Sequence, residues 1–162
     1  MKNNKGISLV ALVVVIIILV ILSSIAITAG MNDYDKAQQA KENLERSQVI
    51  EAVSTRYNNY LRNSTANPLV GDKVPDDYQT EEEIKEYLIG LFQSESRISN
   101  SPEKYATFEK ELDAFVEENV KLMKYTRVLR HDDIVSLNVD NVSISAVFLV
   151  NYYTSSVIGP VN

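Results

Sequence analysis

The stretch ISLVALVVVIIILVILSSIAITA, which runs from Ile7 to Ala29, decides the fold because it contains no charged residue. At about 1.5 Å per helical residue, a stretch of this length crosses the roughly 30 Å hydrocarbon layer of a membrane. Its richness in valine and isoleucine would favour a strand in water, but a lone strand in lipid leaves its backbone unpaired. The sequence therefore predicts a transmembrane helix over residues 7–30.

Charged residues on either side of this helix predict its orientation. Lys2 and Lys5 precede it, whereas Asp33 and Asp35 follow it. Because the cytoplasmic flanks of transmembrane helices are enriched in lysine and arginine, we expect the N-terminus in the cytoplasm and residues 31–162 outside. The predicted location is the cell membrane, crossed once, with an extracellular C-terminal domain.

Three interpretations of the apolar segment predict different mature proteins. An ordinary secretory signal would be cut near Ala26 or Ala29 and would release a soluble domain. A permanent single-pass anchor would keep Met1 and hold an outer domain that recognises another protein at the cell surface. In the third interpretation the cut falls before the apolar helix, which is then retained.

The residues around Gly6 favour the third interpretation. Lys5-Gly6 is followed by Ile7-Ser8-Leu9-Val10-Ala11-Leu12-Val13 and then by an uninterrupted apolar stretch. This junction resembles the type IV pilin and pseudopilin family in its Gram-positive form. The resemblance implies that a prepilin peptidase cleaves between Gly6 and Ile7, removes the leader of residues 1–6 and methylates the new N-terminus at Ile7. It also implies a structural subunit whose partners are the membrane, prepilin peptidase and other pilin-like subunits.

Ala11 departs from the family pattern. In most major pilins a glutamate occupies this fifth mature position, where it is thought to pair with the terminal ammonium of a neighbouring subunit. An unpaired buried ammonium would cost several kcal/mol. The Ile7 amine therefore stays hydrated, or loses its proton, or lies where it needs no partner. Since tip-located minor pseudopilins of the family also lack this carboxylate, the resemblance implies a minor pilin or pseudopilin.

Composition restricts the chemistry of the outer domain. The 162-residue chain has no cysteine and one histidine, so disulfides, thiolate sites and multi-histidine metal sites are excluded. Removing the two leader lysines changes the formal charge from −6 to −8. Such a charge would repel the phosphates of a nucleic acid. The sequence therefore predicts no enzyme, no cofactor, no nucleic-acid partner and no small-molecule substrate.

The remaining polar candidates have structural interpretations. His131 is interpreted as a surface residue in a turn rather than an acid–base group. The acidic residues at 76–77, at 132–133 and at Asp140 lack the spacing of a calcium loop, so turns explain them. Gly30 is interpreted either as a flexion point or as one tolerated glycine.

Helical spacing and capping signals predict the first part of the outer domain. Apolar residues recur at helical spacing up to about Asn63, so residues 31–63 are expected to continue the transmembrane helix. Residues 64–120 are predicted to form a loop and two short helices. Thr80 and Glu83 form a capping box before the first, and Ser101-Pro102 begins the second.

Alternating spacing predicts strands in the last part, residues 121–162. Apolar and polar residues alternate over 135–139 and, after turn residues Asp140-Asn141, over 142–152, which predicts a hairpin. Residues 122–130 are the predicted third strand. The predicted fold is α+β and pilin-like: a long N-terminal helix packed against short helices and a C-terminal antiparallel β-meander.

Overall fold

The computed structural model describes residues 9–78, 80–95 and 101–161, with side chains described for all of these except 9–12, 21–30 and 32. The chain divides into two compact units between Lys41 and Glu42.

The elements in chain order are α1 (Leu9–Arg62), β1 (Asp72–Lys73), α2 (Glu81–Glu95), α3 (Pro102–Asn119), a 3₁₀ segment (Val120–Tyr125), β2 (Thr126–Leu129), α4 (His131–Ser136), β3 (Val147–Asn151) and β4 (Ser156–Val161). The observed class is α+β, as predicted.

The first compact unit ends at Lys41, and its described residues belong to α1. The consecutive side chains from Val13 to Val20 are 45–60 % exposed, so apolar atoms cover this part of the helix on every side. Within the described residues, no helix is both long and apolar enough to span a membrane. The predicted transmembrane segment, residues 7–30, lies in part outside the described residues.

The second unit contains an antiparallel four-stranded sheet with the strand order β1-β2-β3-β4. In strand β3, Leu149 lies opposite Val128 of β2 and Ile158 of β4. All five residues of β3 are buried. Because successive side chains of a strand point to opposite faces, complete burial means that both faces of the sheet are covered.

Each face of the sheet packs on its own apolar core. On one face, strand residues pack with α2 and α3 in a core that includes Ile84, Leu88, Phe92, Phe108, Leu112, Val128 and Leu149. On the other face, the core includes Val49 and Val53 of α1, Ile134 of α4, and Leu129, Phe148 and Val150 of the sheet. The sheet is therefore the middle layer of three in this unit.

Helices α2 and α3 confirm the predicted capping signals. The Thr80 hydroxyl accepts a hydrogen bond from the Glu83 N–H at 3.3 Å, and a Glu83 carboxylate oxygen accepts one from the Thr80 N–H at 3.1 Å. The Ser101 side chain accepts from the Lys104 N–H, and Pro102 is the first helical residue of α3. These bonds satisfy backbone N–H groups that otherwise lack partners at a helix start. The buried apolar residues of these two helices are Ile84, Leu88, Phe92, Phe108, Leu112, Phe115 and Val116.

The predicted strand over residues 135–139 is wrong. A short helix, α4, begins instead at His131, the residue predicted to lie in a turn. The Asp133 carboxylate accepts a hydrogen bond from the Arg130 N–H at 3.0 Å, which is the contact a capping box makes at a helix start. This side-chain bond favours the helix over an extended chain.

Burial in this region follows helical spacing rather than the alternation that predicted a strand. Ile134 and Leu137 are buried at helical spacing, whereas Val135, which the strand would have buried, is 46 % exposed. After the helix, Asn138 adopts a positive φ of 62° and turns the chain. Asparagine tolerates this left-handed conformation better than most residues.

The other strand predictions are confirmed only in part. Strand β2 confirms the third strand, although the 3₁₀ segment occupies the start of its predicted range. Strand β3 covers only the end of the predicted 142–152 run, because the Ala146 N–H donates to the Ser143 carbonyl at 3.0 Å and closes a turn. Ile144 in this turn is 85 % exposed. Strands β1 and β4 were not predicted.

The two edge strands of the sheet are short or irregular. Strand β1 contains two residues. In β4, the pairing with β3 shifts between the Leu149–Ile158 pair and the Val147–Val161 pair. Gly159 lies in this interruption with a φ of +114°, a value that side chains disfavour, and Pro160 follows it.

Asn151 fixes the end of β3 through its side chain, which is fully buried. Its amide nitrogen donates to the Leu122 carbonyl at 3.1 Å and to the Thr126 hydroxyl at 2.9 Å. Its amide oxygen accepts from the N–H groups of Tyr153 at 2.9 Å and Thr154 at 3.2 Å. One side chain therefore joins the 3₁₀ segment, β2 and the turn before β4.

Tyr152 connects the same turn to the loop before β1. Its side chain is fully buried, and its hydroxyl donates to the Val70 carbonyl at 3.1 Å. Burial raises the pKa of Tyr152 to about 12, above the value of about 10 expected in an unfolded chain. Because the folded-state pKa is the higher one, the stability from the neutral phenol is complete below pH 10 and lost as the pH rises through 12.

We expect the ionisation of Tyr152 to lower the free energy of unfolding by about 2–3 kcal/mol between pH 10 and pH 12. The variant Tyr152→Phe lacks the hydroxyl, so it should be less stable by about 1 kcal/mol at neutral pH but decline less in this window. Urea unfolding followed by far-ultraviolet circular dichroism at a series of pH values measures both. Parallel pH curves for the two proteins would contradict the prediction.

Candidate functional site

The predicted processing residues Lys2, Lys5, Gly6 and Ile7 lie outside the described residues. Ala11 lies within α1, with its side chain likewise outside the description. Nearest to them, the described side chains of Val13–Val20 present only aliphatic carbon to the surroundings. Such a surface can pack against lipid or against other apolar helices, and its side chains offer no polar group to a ligand.

Two of the acidic residues considered for calcium have structural partners. Asp133 caps α4, and Asp76 pairs with Lys73. Across the described ranges, no group of three histidine, cysteine, aspartate or glutamate side chains is placed to hold a metal ion. His131 lies at the start of α4, where its Nδ1 is buried without a hydrogen-bond partner among the residues described.

A pocket of about 540 Å³ lies beside α2. Its aromatic wall is the stacked pair Tyr78 and Tyr87, whose ring centroids are 4.9 Å apart. Burial, with smaller contributions from Tyr78 and nearby carboxylates, raises the pKa of Tyr87. The full lining is Tyr78, Glu83, Glu86, Tyr87, Gly90, Leu91, Ser94 and Glu95. We name this group the acidic tyrosine pocket.

The carboxylates of this pocket differ in what they contact. Arg130 binds Glu95 in a bidentate manner, at 2.8 Å from Nε and 2.6 Å from Nη2, and binds Asp72 through Nη1 at 2.6 Å. Glu83 caps its own helix. Glu86 is exposed and forms no ion pair within the described part of the chain. An available carboxylate beside tyrosine rings attracts an ammonium or guanidinium group.

A second cluster contains four tyrosines from three segments. Tyr57 and Tyr60 come from α1, Tyr125 from the 3₁₀ segment and Tyr153 from the turn between β3 and β4. The Tyr57 ring lies 5.8–6.1 Å from each of the other three rings, and Tyr125 stacks on Tyr153 at 5.5 Å. Tyr153 is 55 % exposed, so the cluster reaches the surface.

Two cations accompany these rings. The Lys124 ammonium lies 4.9 Å from the centroid of Tyr125. The Arg127 guanidinium donates to the Lys124 and Thr126 carbonyls at 2.9 and 2.7 Å, and burial lowers its pKa. Neither cation has a carboxylate at salt-bridge distance in the described ranges, whereas other basic residues do, among them Arg46, Lys73, Lys85, Lys104 and Arg130. We name Tyr57, Tyr60, Tyr125, Tyr153, Lys124 and Arg127 the cationic tyrosine patch.

Neither tyrosine cluster was predicted from the sequence. Tyr57 and Tyr60 lie in the predicted continuation of the first helix and Tyr87 in the predicted loop-and-helix region 64–120, and all three are half-buried. A local signal exists for the first pair, because residues three apart share a helix face. Their meeting with Tyr125 and Tyr153 depends on β4 and the turn before it, which the sequence did not predict.

Comparison with known proteins identifies no relative. No protein-family model, no curated protein and no solved structure matches the chain. The functional conclusion therefore depends on the residues themselves.

Proposed function

We propose that this chain is a structural subunit, of the minor pilin or pseudopilin type, of a type IV pilus or a related secretion or competence filament. The observation that carries the proposal is the junction at Lys5-Gly6-Ile7, where a basic leader meets a long apolar segment. An ordinary signal peptide is cut after its apolar segment, so the segment is lost. A cut at this junction keeps the segment.

The retained apolar segment would be the element of assembly. Before processing, residues 7–30 would be stored as a transmembrane helix, with the leader lysines holding its N-terminal end in the cytoplasm. Removal of Lys2 and Lys5 would free that end to leave the membrane. The aliphatic side chains would then pack against those of neighbouring subunits, and the exposed surface of Val13–Val20 supports this role.

The architecture of the second compact unit supports the same proposal. Residues Val49 and Val53 of α1 pack on one face of an antiparallel sheet, which is the arrangement expected of a pilin-like fold. The acidic charge of the exported part would keep its outer surface hydrated. Ala11 supports a minor subunit, since it cannot form the ion pair expected in a major one.

A second candidate is a permanently anchored single-pass surface protein with a protein-binding outer domain. The acidic tyrosine pocket favours it, because an open pocket with an available carboxylate fits a basic side chain of a partner protein. This candidate needs no cleavage at Gly6. The state of the N-terminus therefore separates the two candidates.

Mass spectrometry of the N-terminal peptide, from cells that contain a competent prepilin peptidase, tests the proposal. We expect a mature chain that begins at Ile7 with a methylated amine. The variant Gly6→Ala should keep its full leader, because the cleaved bond requires close approach of the peptidase to the backbone. The leader variant Asn3→Ala should be processed normally.

The other outcomes identify the other interpretations. A chain that keeps Met1 in the presence of an active peptidase would support the permanent anchor. A chain that begins near Thr28 or Gly30 would support the secreted domain. Either result would contradict the proposed function.

A further inference from the structure

We propose that the cationic tyrosine patch of one copy of this chain docks into the acidic tyrosine pocket of a second copy. The inference deepens the proposed function and rests on it, because it assigns an interface between the outer domains of neighbouring subunits. Both surfaces belong to the second compact unit, and neither takes part in the apolar segment.

Charge is the first observation that carries this inference. Lys124 and Arg127 lack carboxylate partners in the described part of the chain, while Glu86 at the pocket lacks a cation. The full chain is acidic, with a formal charge of −6, so most contacts between two copies would be repulsive. Because the Debye length is about 8 Å at physiological salt, local charges decide where two copies can meet. Contact between a cationic surface and an acidic pocket is therefore electrostatically favourable.

The shape and the residue types of the two surfaces match as well. Tyr153 is the most exposed ring of the patch, and the pocket volume of about 540 Å³ accommodates side chains of this size. At Gly90 the pocket wall is open, since a Cβ added there would meet no atom within 4 Å. Tyrosine and arginine are the residues most often found at the energetic centres of protein interfaces.

The pairing of two different surfaces has a consequence for symmetry. A copy that uses its patch on one neighbour keeps its pocket available for another. Such a heterologous contact continues from copy to copy and forms an open chain unless a rotation closes it into a ring. The inferred contact is therefore of the kind that a filament requires.

Engineered cysteines test the contact directly, because the natural chain has none. Full-length Tyr153→Cys and Ser94→Cys chains, with different tags, are produced together in one cell and oxidised. We expect a disulfide-linked pair that contains both tags. The matched control replaces Ser94→Cys by Lys110→Cys, an exposed position on α3 outside the pocket, and should give little product.

Charge-reversal substitutions at the two surfaces make the test specific. In the Tyr153→Cys chain, the added substitution Lys124→Glu should lower the cross-linked yield about tenfold, as the loss of one close charge pair predicts. Adding Glu86→Lys to the Ser94→Cys chain should restore it. The substitution Lys110→Glu in the first chain should leave the yield within about twofold.

Each outcome bears on either the contact or the proposed function. A yield that matches the Lys110→Cys control, in chains that begin at Ile7, would overturn the contact and leave the proposed function intact. Specific cross-linking in chains that keep Met1 would support the contact and contradict the proposed function. If Lys124→Glu abolished retention of single-stranded DNA by the full chain but left cross-linking unchanged, a polyanion would be the occupant of the patch and the inference would be wrong.

Discussion

Replacing Asn151 by alanine should lower the free energy of unfolding by about 3 kcal/mol or more, because it leaves buried and partly buried groups without a partner. The substitution removes two donated and two accepted hydrogen bonds. The Leu122 carbonyl and the N–H groups of Tyr153 and Thr154 would then have no side-chain partner. Since the turn is part of the network, its position relative to β2 would also be less well defined.

Urea unfolding of the full chain in mild detergent measures this loss. The matched control is Asn58→Ala, an exposed asparagine in α1, which should change the stability by less than about 0.5 kcal/mol. The neighbouring Asn119 accepts from the Thr154 hydroxyl at 2.7 Å, so its replacement together with Asn151 should be non-additive. A loss below about 1 kcal/mol for Asn151→Ala would show that water replaces these bonds.

Replacing Gly159 by alanine should lower the stability by about 2–5 kcal/mol, through backbone strain and overpacking together. At this residue φ is +114°, and an added Cβ would lie 2.7 Å from the Val147 carbonyl oxygen and 2.9 Å from Cδ1 of Phe148. Phe148 is fully buried in the central strand and cannot move aside without disturbing the core.

The same substitution at Gly90 is the matched control. Gly90 lies in α2, where an added Cβ meets nothing within 4 Å. Alanine is the better helix former, so Gly90→Ala should raise the stability by about 0.5–1 kcal/mol. Chemical denaturation of the two variants should therefore give shifts of opposite sign. Equal shifts would contradict the explanation given for Gly159.

The elements that were predicted correctly depend on neighbouring residues. Helices α2 and α3 were predicted correctly because each begins with local capping signals. These signals are Thr80 with Glu83 in α2 and Ser101 with Pro102 in α3. Helix α4 has a similar signal in Asp133, three residues after Arg130, but the alternating valines nearby predicted a strand instead. A capping contact outweighed an alternation of only a few residues.

The sheet was predicted less well because its pattern is set by distant residues. Strand β3 is buried on both faces, so the alternation used to predict residues 142–152 does not hold within it, where Val147 and Leu149 are apolar as well. Strand β4 contains Gly159-Pro160, and this dipeptide predicts a loop rather than a strand. The tyrosine clusters join residues as far apart as Tyr57 and Tyr153, so no local pattern could predict them. The junction at Gly6, in contrast, is a local sequence pattern that lies outside the described residues, and its processing stays a prediction.

The edges of the sheet affect how this protein behaves when many copies are crowded together. Adding a strand at a free edge is a common first step towards amyloid-like aggregates. Strand β1 offers only two residues for such addition, and Pro160 in β4 has no N–H to donate. We therefore expect that crowded copies do not join by backbone hydrogen bonds at these two edges. Lasting association between copies then depends on contacts between side chains.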